Sequence, residues 1–345
     1  MILVTGAGGL VGSATVKYYC DRGHKVIGID NDTRKKLFGT SVSNQIIYNE
    51  KLPQYSHFHI DIRDSSSIES IFKQYGSQLF GVVHCAAQPS HDWAAKDPVM
   101  DFTINANGTL NLLESYRNHA PKTAAFVFLS TNKVYGDNPN NVKLIEKEKR
   151  YEPLVKDFLV NENMSVDHCT HSLFGVSKLA ADAMVQEYGK YFGLNTVCFR
   201  GGCLTGPNHS GAELHGFLSY LVKCVVHEKK YFIYGHKGKQ VRDNIHTDDL
   251  VTAIDNYIKC PSGTGVVYNI GGGKYSNISM LEAIEYIEDK TNKKLDYVQM
   301  ADARVGDHIW YVSDISKFKK DYPDWKITKS IYETIDDIIA CEVQK

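Results

Sequence analysis

A glycine-rich turn near the start of the chain constrains the fold more than any other feature. A short apolar run leads into Gly6-x-x-Gly9-x-x-Gly12, which opens a helix-favouring stretch. A second apolar run follows that stretch and ends at Asp30. Strand, glycine turn, helix, strand and acid in this order predict the first βαβ unit of a doubly wound parallel sheet.

The spacing within this unit favours a bound dinucleotide. Gly6 allows the tight turn, Gly9 lets the backbone approach a pyrophosphate, and Gly12 lets the helix pack against the strand. The N–H groups at the start of the helix face the phosphates. Asp30 is spaced to accept hydrogen bonds from the adenosine ribose, and its charge repels a 2′-phosphate, so the sequence predicts NAD rather than NADP. Arg34 either softens that preference or is a solvated loop arginine.

Composition excludes several other classes of function. The chain has 345 residues and a formal net charge of −1, which gives no overall attraction to nucleic acid or to an anionic membrane. No apolar run has the length of a membrane span, and because the first predicted strand begins at Ile2 we expect no signal peptide. The 8 cysteines include no C-x-x-C pair, so we expect no metal site or disulfide framework, and a cytoplasmic location.

The pattern along the chain predicts a Rossmann domain followed by a smaller lobe. Strands are predicted over 55–60, 79–85, 124–129 and 195–200, and helices over 65–74, 98–118 and 171–193. Beyond 208, helices are predicted near 213–228, 246–259, 278–290 and 329–341, with strands near 231–234, 266–270 and 295–299. We therefore predict an NAD-binding domain over 1–170 and 171–207. A C-terminal α/β lobe that binds substrate is predicted mainly over 208–345, with some chain crossing back.

Polar and small residues follow the predicted strands. Asp61 is placed to meet the adenine ring, while Asp64 is placed to cap the next helix. The small residues at 86–87 let a ligand approach the backbone, and a polar loop follows over 89–93. Asn105 is unusual inside a helix, which indicates either a functional contact or a hydrogen bond between helix and sheet.

These motifs occur together in a known superfamily. The motifs in question are the glycine turn, Asp61, Ala86-Ala87, Asn105, Ser130-Thr131, Val134-Tyr135-Gly136, Lys178, Val241-Arg242-Asp243, Asn269-Ile270-Gly271-Gly272 and Arg304-x-Gly306-Asp307. Essentially the whole chain resembles the NAD-dependent nucleotide-sugar epimerases and dehydratases of the extended short-chain dehydrogenase/reductase superfamily. Through residues 130–137 and 238–243 it is most similar to the group of CDP-paratose 2-epimerases.

The resemblance implies an activity and a set of site residues. It implies a homodimer that epimerises a nucleotide-diphosphate sugar, with a CDP-sugar favoured, through a transient ketone and with NAD. The cofactor-binding residues that it implies, together with those of the first βαβ unit, are Gly6, Gly9, Leu10, Val11, Gly12, Asp30, Asn31, Arg34, Asp61, Ile62, Ala86, Ala87, Gln88, Asn105, Ser130, Lys178 and Arg200. The substrate-binding residues are His91, Thr131, Asn132, Lys133, Cys203, Arg242 and Arg304, and the catalytic positions are Thr131, Phe174 and Lys178.

Two departures from the superfamily pattern bear on the chemistry. The dehydratases carry an Asp-Glu pair after the catalytic Ser/Thr, whereas this chain has Asn132-Lys133, which speaks against dehydration. The catalytic Tyr-x-x-x-Lys motif reads Phe174-Gly-Val-Ser-Lys178 here, and phenylalanine has no proton to exchange.

Three explanations of Phe174 stay open at this point. The chain is an engineered Tyr→Phe variant, or a natural branch whose base lies elsewhere, or a protein that binds NAD and a nucleotide sugar without turning the sugar over. For a relocated base, the candidates are His91, Asp92 and Lys133, each after a predicted strand.

Overall fold

The computed structural model describes residues 1–39, 41–209, 211, 216–303 and 306–344, without the side chains of Phe38 and Asn44. The strands are β1 (Ile2–Thr5), β2 (Val26–Ile29), β3 (Tyr55–Phe58), β4 (Gly81–His84), β5 (Ala125–Thr131), β6 (Leu144–Glu146), β7 (Tyr151–Pro153), β8 (Asn195–Gly201), β9 (Cys203–Thr205), β10 (Tyr231–Tyr234), β11 (Val241–His246), β12 (Val266–Ile270), β13 (Asn277–Ser279), β14 (Tyr297–Met300) and β15 (Trp310–Tyr311). The α-helices are α1 (Leu10–Cys20), α2 (Thr33–Phe38), α3 (Ser43–Glu50), α4 (Ser65–Tyr75), α5 (His91–Lys96), α6 (Pro98–Phe102), α7 (Gly108–His119), α8 (Leu173–Phe192), α9 (Phe217–Val226), α10 (Thr247–Lys259), α11 (Met280–Thr291), α12 (Ser316–Asp321) and α13 (Ile331–Val343).

The chain forms two compact units. The first contains Met1–Val134, Leu173–Arg200 and Leu250–Tyr268, and the second contains Tyr135–Ser172, Gly201–Asp249 and Asn269–Lys345. The bounds differ from the sequence interpretation, because the polar excursion after β5 belongs to the second unit and most of α10 belongs to the first.

The first unit is built on a seven-stranded sheet in the order β12-β8-β5-β4-β1-β2-β3. The pairings along β3-β2-β1-β4-β5 are parallel, with Ile2 opposite Val26 on one side and Gly81 on the other. Strands β1, β2 and β4 are buried along their whole length, as expected for a parallel sheet covered on both faces. The predicted doubly wound Rossmann fold is confirmed.

The helices of the first unit follow their sequence signals only in part. The Asp64 carboxylate accepts the Ser67 N–H at 3.1 Å, so Asp64 caps α4 as predicted. The predicted helix 98–118 is interrupted by a π-helical turn over Thr103–Asn107. The segment 89–93, predicted as a polar loop, instead contains the start of α5, because the Ser90 hydroxyl caps that helix.

The second unit combines small sheets with three amphipathic helices. Strand β11 pairs with β13, β15 and β9, while β10 and β14 form a separate parallel pair. Apolar residues of α9, α11 and α13 pack into one core, including Leu221, Ile287 and Ile335, which are fully buried. The short strands β9, β13 and β15 were not predicted, since two or three residues carry too little alternation to identify a strand.

Within the described residues, none of the helices has the length and apolar character required to cross a membrane. Over the same part of the chain, no group of three or more His, Cys, Asp or Glu side chains is arranged to hold a metal ion. All eight cysteines are free thiols.

Candidate active site

The glycine turn after β1 has the geometry that a pyrophosphate requires. Gly6 has a φ of +67°, and a Cβ there would lie 2.8 Å from the backbone nitrogen of Ala86. A Cβ on Gly12 would lie 2.0 Å from the Gly6 oxygen, so only glycine lets α1 come this close to the turn. Gly9 is the N-cap of α1 and no described side chain caps this helix. The first N–H groups of α1, at Leu10 and Val11, are thus left to a ligand.

The acid at the end of β2 is tied to this turn. One carboxylate oxygen of Asp30 accepts the Gly8 N–H at 2.9 Å, and the other accepts the Asp32 N–H at 2.8 Å. Each oxygen keeps a further lone pair for a ribose hydroxyl. Arg34 lies in α2 and is half-buried, which does not fit a solvated loop arginine; burial lowers its pKa.

Asp61, predicted to meet adenine, is already engaged. Its carboxylate accepts N–H groups from the Arg63 backbone at 2.9 Å, from Arg63 Nε at 3.0 Å and Nη2 at 2.6 Å, and from Asn31 at 3.1 Å. These contacts occupy about four acceptor sites, the capacity of one carboxylate. The Arg63 contacts hold the pKa of Asp61 below its usual range. Contact with adenine at this carboxylate therefore requires one of these donors to move.

A segment that the sequence did not reveal packs against the glycine turn at Ala7 and Gly8. The Asp32 carboxylate accepts the Val42 N–H at 2.9 Å and so fixes the start of α3. A Cβ on Gly8 would lie 2.7 Å from Val42 and 2.9 Å from Ile46, and the Asn49 side chain donates to the Ala7 carbonyl at 3.1 Å. Gly8 is therefore required by packing against α3. Weak apolar periodicity in this short helix explains why it was missed.

Asn105 fastens the end of β4 to α8. Its side-chain oxygen accepts the Gln88 N–H at 2.9 Å, and its amide donates to the Gln88 carbonyl at 3.0 Å and to the Ser177 hydroxyl at 3.0 Å. The π-helical turn places this amide beside the backbone, and Asp101 accepts from the same group at 3.1 Å. The helix–sheet hydrogen bond that the sequence left open is thus present. A direct contact between Asn105 and the cofactor stays a prediction.

Gln88 uses its side chain to fix the next residues. Its amide donates to the Ser90 carbonyl at 2.8 Å and to Asp101 at 2.7 Å, and its oxygen accepts the Ser90 N–H at 2.6 Å. Burial raises the pKa of Asp101. A ligand near Ala86, Ala87 and Gln88 therefore meets mainly backbone, as the small side chains predict.

A buried histidine connects β1, β4 and α7 beneath this edge. The Ala86 N–H donates to the Thr5 hydroxyl at 3.2 Å, and that hydroxyl lies 2.7 Å from His84 Nδ1. His84 Nε2 lies 2.9 Å from the Thr109 hydroxyl, which donates to the Asn105 carbonyl at 2.6 Å. This chain of donors fixes a neutral ring with its proton on Nε2. Burial holds the pKa of His84 well below its usual range.

Lys178 lies at the carboxyl end of β5. Its ammonium donates to the Leu129 carbonyl at 2.7 Å and lies 4.0 Å from the centre of the Phe128 ring. Burial lowers the pKa of Lys178 to about 8, against the opposing effect of the Asp182 charge. Its charge is therefore held at one place at the sheet edge, as the predicted contact with a nicotinamide ribose requires.

Ser130 and Arg200 converge on an acid that the sequence analysis did not single out. Arg200 Nε and Nη2 donate to the buried Asp182 carboxylate at 3.1 and 2.8 Å, and the Ser130 hydroxyl donates to it at 2.5 Å. Both were predicted to bind the cofactor, yet these contacts hold β5, α8 and β8 together. Phe174, Lys178 and Asp182 follow one another at four-residue spacing, which was the signal that could have revealed this acid.

Phe174 is buried in the first turn of α8, with 7% of its surface exposed. Its ring meets the ring of His91 at a centroid distance of 5.1 Å and an angle of 64°. Thr131 ends β5, and its hydroxyl accepts the Lys133 N–H at 3.2 Å and lies 3.4 Å from the side-chain oxygen of the buried Asn132.

The second unit carries the remaining predicted substrate residues. Arg242 is the second residue of β11, and its guanidinium donates to the Asp307 carboxylate at 2.7 Å and to the Val241 carbonyl at 2.9 Å. In the described part of the chain these contacts leave three of its five N–H donors for a ligand. Cys203 begins β9 and is half-buried, and Arg304 lies outside the described residues.

Comparison with known proteins decides the family. Residues 2–271 match the NAD dependent epimerase/dehydratase family. The CDP-paratose 2-epimerase of Salmonella typhi is 32% identical over 324 residues, which are 92% of this chain and 91% of that protein. The chain belongs to the NAD-dependent epimerase/dehydratase family. The family predicted from the motifs is confirmed, and so is NAD as the cofactor, because the family is NAD-dependent.

Other members of the family are also similar to this chain. The dTDP-glucose 4,6-dehydratase of Haemophilus influenzae is 28% identical over 343 residues, which are 96% of this chain and 89% of that protein. A tyrosine-to-phenylalanine mutant of the Bacillus cereus UDP-glucuronic acid 4-epimerase, solved with UDP-4-deoxy-4-fluoro-glucuronic acid and NAD, superposes with a TM-score of 0.81. That structure and this chain cover 99% of each other at 24% identity, which shows the shared fold.

Proposed function

We propose that the protein epimerises a nucleotide-diphosphate sugar with NAD, with C2 of a CDP-sugar as the favoured centre. The observation that carries the proposal is the set of groups at the carboxyl ends of β1, β4 and β5. There the open glycine turn, the small residues after β4 and the fixed ammonium of Lys178 lie along one edge of one sheet. In open α/β sheets, ligands bind outside this edge.

The residues fit NAD, and each has a defined task. The glycine turn and the start of α1 bind the pyrophosphate, Asp30 binds the adenosine ribose, and Lys178 binds the nicotinamide ribose. Asn105, Ser130 and Arg200 position these groups through the contacts described above, so we assign them to the cofactor site as positioning residues. When bound, NAD accepts a hydride from the sugar carbon and later returns it.

The substrate residues supply hydrogen bonds and positive charge. The Thr131 hydroxyl is placed at the end of β5 to bind the sugar oxygen whose proton leaves, and Arg242 provides a guanidinium for the diphosphate. Asn132-Lys133 replaces the acid pair that a dehydratase needs to expel a hydroxyl, which supports epimerisation over dehydration. The hydride leaves one face of the ring carbon, a transient ketone forms, and the hydride returns to the other face.

One observation favours a second function. Phe174 is a buried ring without an ionisable group at the position where the superfamily carries tyrosine. A protein that binds NAD and a nucleotide sugar without catalysis is the alternative. NMR of CDP-paratose, UDP-glucose and UDP-glucuronic acid incubated with the protein separates the two: appearance of an epimer supports the enzyme, and binding without conversion of any of the three supports the alternative.

We also propose that the protein is a homodimer. Val99 and Phe102 on α6 and Leu173 and Val176 on α8 expose 73%, 44%, 48% and 44% of their surfaces. These four residues form an apolar patch on the first unit. Together with Asp101 they also contribute to the lining of a cavity. Burial of such side chains stabilises an interface by about 25 cal/mol per Å² of apolar surface, which favours association of the patch with a second copy of the chain.

The free thiols support a reducing compartment, and we propose that the protein is located in the cytoplasm.

A further inference from the structure

We propose that His91 is the general base that replaces the tyrosine hydroxyl missing at Phe174; the inference rests on the proposed epimerase function. The rings of His91 and Phe174 are in direct contact, with centroids 5.1 Å apart and planes inclined by 64°. The imidazole therefore lies beside the ring that occupies the tyrosine position. Phe174, which carries that ring, precedes Lys178 by one turn of α8.

The backbone that carries His91 is held by buried hydrogen bonds. Ser90 is 1% exposed, its N–H donates to the Gln88 side chain at 2.6 Å, and its hydroxyl accepts the Trp93 N–H at 3.4 Å. Gln88 is bonded in turn to Asp101 and Asn105. His91 thus begins α5 from an anchored residue, which gives the imidazole the fixed placement that a general base needs.

The chemistry of the neighbouring groups favours an imidazole. As a class, imidazoles take up a proton near neutral pH, which neither phenylalanine nor a threonine hydroxyl does. Asp92 is the next residue on α5 but is exposed to solvent. The Lys178 ammonium is committed to the Leu129 carbonyl and lies against the Phe128 ring. We assign the charge of Lys178 to the cofactor.

The proposed step balances. The sugar O–H bond breaks and its proton passes to a nitrogen of His91, while the electron pair of that bond forms the second C–O bond of the ketone. The C–H bond of the same carbon breaks and its electron pair leaves with the hydride, which NAD accepts. In the return step the hydride adds to the opposite face, and the imidazolium returns its proton to the oxygen.

The test compares His91→Ala, Phe174→Tyr, the double variant and Asp92→Asn, with CDP-paratose as the first probe and UDP-glucose and UDP-glucuronic acid as the others. We expect His91→Ala to lower kcat by about 100-fold or more, the range of a lost general base, while calorimetry shows unchanged binding of NAD and a much smaller loss of affinity for the sugar nucleotide. Added imidazole should restore part of its activity. Asp92→Asn, altered at the adjacent residue, should resemble the wild type.

The double variant supplies the most specific outcome. A tyrosine hydroxyl restored one turn from Lys178 should raise kcat of His91→Ala by about tenfold or more. If His91→Ala keeps the kcat of the wild type, the inference about His91 is overturned, while the proposed epimerase function stands. Activity that appears only when Phe174→Tyr is present would also overturn it and keep the epimerase function. Wild type and Phe174→Tyr that both bind the probes but convert none would overturn the proposed function and the inference with it.

Discussion

The carboxylate of Asp30 accepts the amide hydrogen of Gly8 at 2.9 Å, so the end of β2 is fastened directly to the glycine turn after β1. The negative charge therefore stands at a fixed place beside the turn that we assign to the pyrophosphate. The two ribose hydroxyls of NAD can donate hydrogen bonds to the Asp30 carboxylate, whereas the 2′-phosphate of NADP is repelled by its negative charge.

The first prediction concerns this carboxylate. The wild type should bind NAD at least about tenfold more tightly than NADP, a difference of about 1.4 kcal/mol. Asp30→Ala should narrow that ratio because the repulsion of the 2′-phosphate is removed. Calorimetry of both cofactors against both proteins checks this. Equal affinity of the wild type for NAD and NADP would contradict the role of Asp30.

A second prediction concerns the diphosphate. Arg242→Ala should weaken binding of CDP-paratose by about 1.5–3 kcal/mol, the value of a hydrogen bond to a charged group, and leave NAD affinity unchanged. Arg150→Ala is the matched control, since Arg150 is also half-buried in the second unit and bonded to Glu282 at 3.3 Å and Asn277 at 2.5 Å. Equal losses of CDP-paratose affinity in both variants would place the diphosphate elsewhere.

Some features of the fold and of the candidate site could be predicted from the sequence, and others could not. The glycine turn and Asp30 were predicted because a bound dinucleotide demands those residue types at fixed spacing. Lys178 was predicted from the resemblance to the superfamily. The contacts of Ser130 and Arg200 were not predicted, because their partner Asp182 comes from another part of the chain. For Asn105 a hydrogen bond between helix and sheet was one of two alternatives, but its partner Ser177 was not identified. Local pattern does not determine which distant polar groups meet across a sheet, and it does not identify strands as short as β9 or β15.

A third prediction concerns the buried ion pair between Arg200 and Asp182. Asp182→Ala removes the carboxylate that pairs with the buried guanidinium of Arg200, and should lower the free energy of unfolding by about 3–5 kcal/mol. Asp21→Ala removes the partner of the exposed Lys17 ammonium, 2.5 Å away, and should cost less than about 1 kcal/mol. Chemical denaturation compares the two variants. Similar small losses in both would show that Arg200 finds other partners.

The fourth prediction is a pH dependence that arises from Lys178. Burial lowers its pKa to about 8 in the folded protein, and in the unfolded chain a lysine pKa is about 10.4. Below both values the two states carry the proton, so the folded state bears the full penalty of the buried charge. Between them the unfolded chain binds more protons, so the free energy of unfolding rises with pH.

Lys178→Met removes this contribution. Relative to that variant, the cofactor-free wild type should gain up to about 3 kcal/mol of stability between pH 8 and pH 10.4. Denaturation of both proteins at several pH values in that interval checks the prediction. A difference between them that does not change with pH would show that the pKa of Lys178 is not lowered.

The fifth prediction concerns the apolar patch on α6 and α8. Val99→Asp and Val176→Asp should each convert the proposed dimer to a monomer, because a buried unpaired carboxylate opposes association. Tyr191→Asp is the control, since that side chain lies near the far end of α8 and is 82% exposed. Sedimentation measures the mass of each protein. A wild type that sediments as a monomer would contradict the dimer.

The fate of one hydrogen tests the central claim most directly. CDP-paratose labelled with deuterium on C2 is incubated with the protein in ordinary water, and NMR follows the label. Oxidation and return by NAD predict a C2 epimer that keeps its deuterium, with a transient near-ultraviolet band of the reduced cofactor. An epimer that has lost its deuterium to water would contradict the account, because hydrogen exchanged with solvent means proton abstraction rather than hydride transfer.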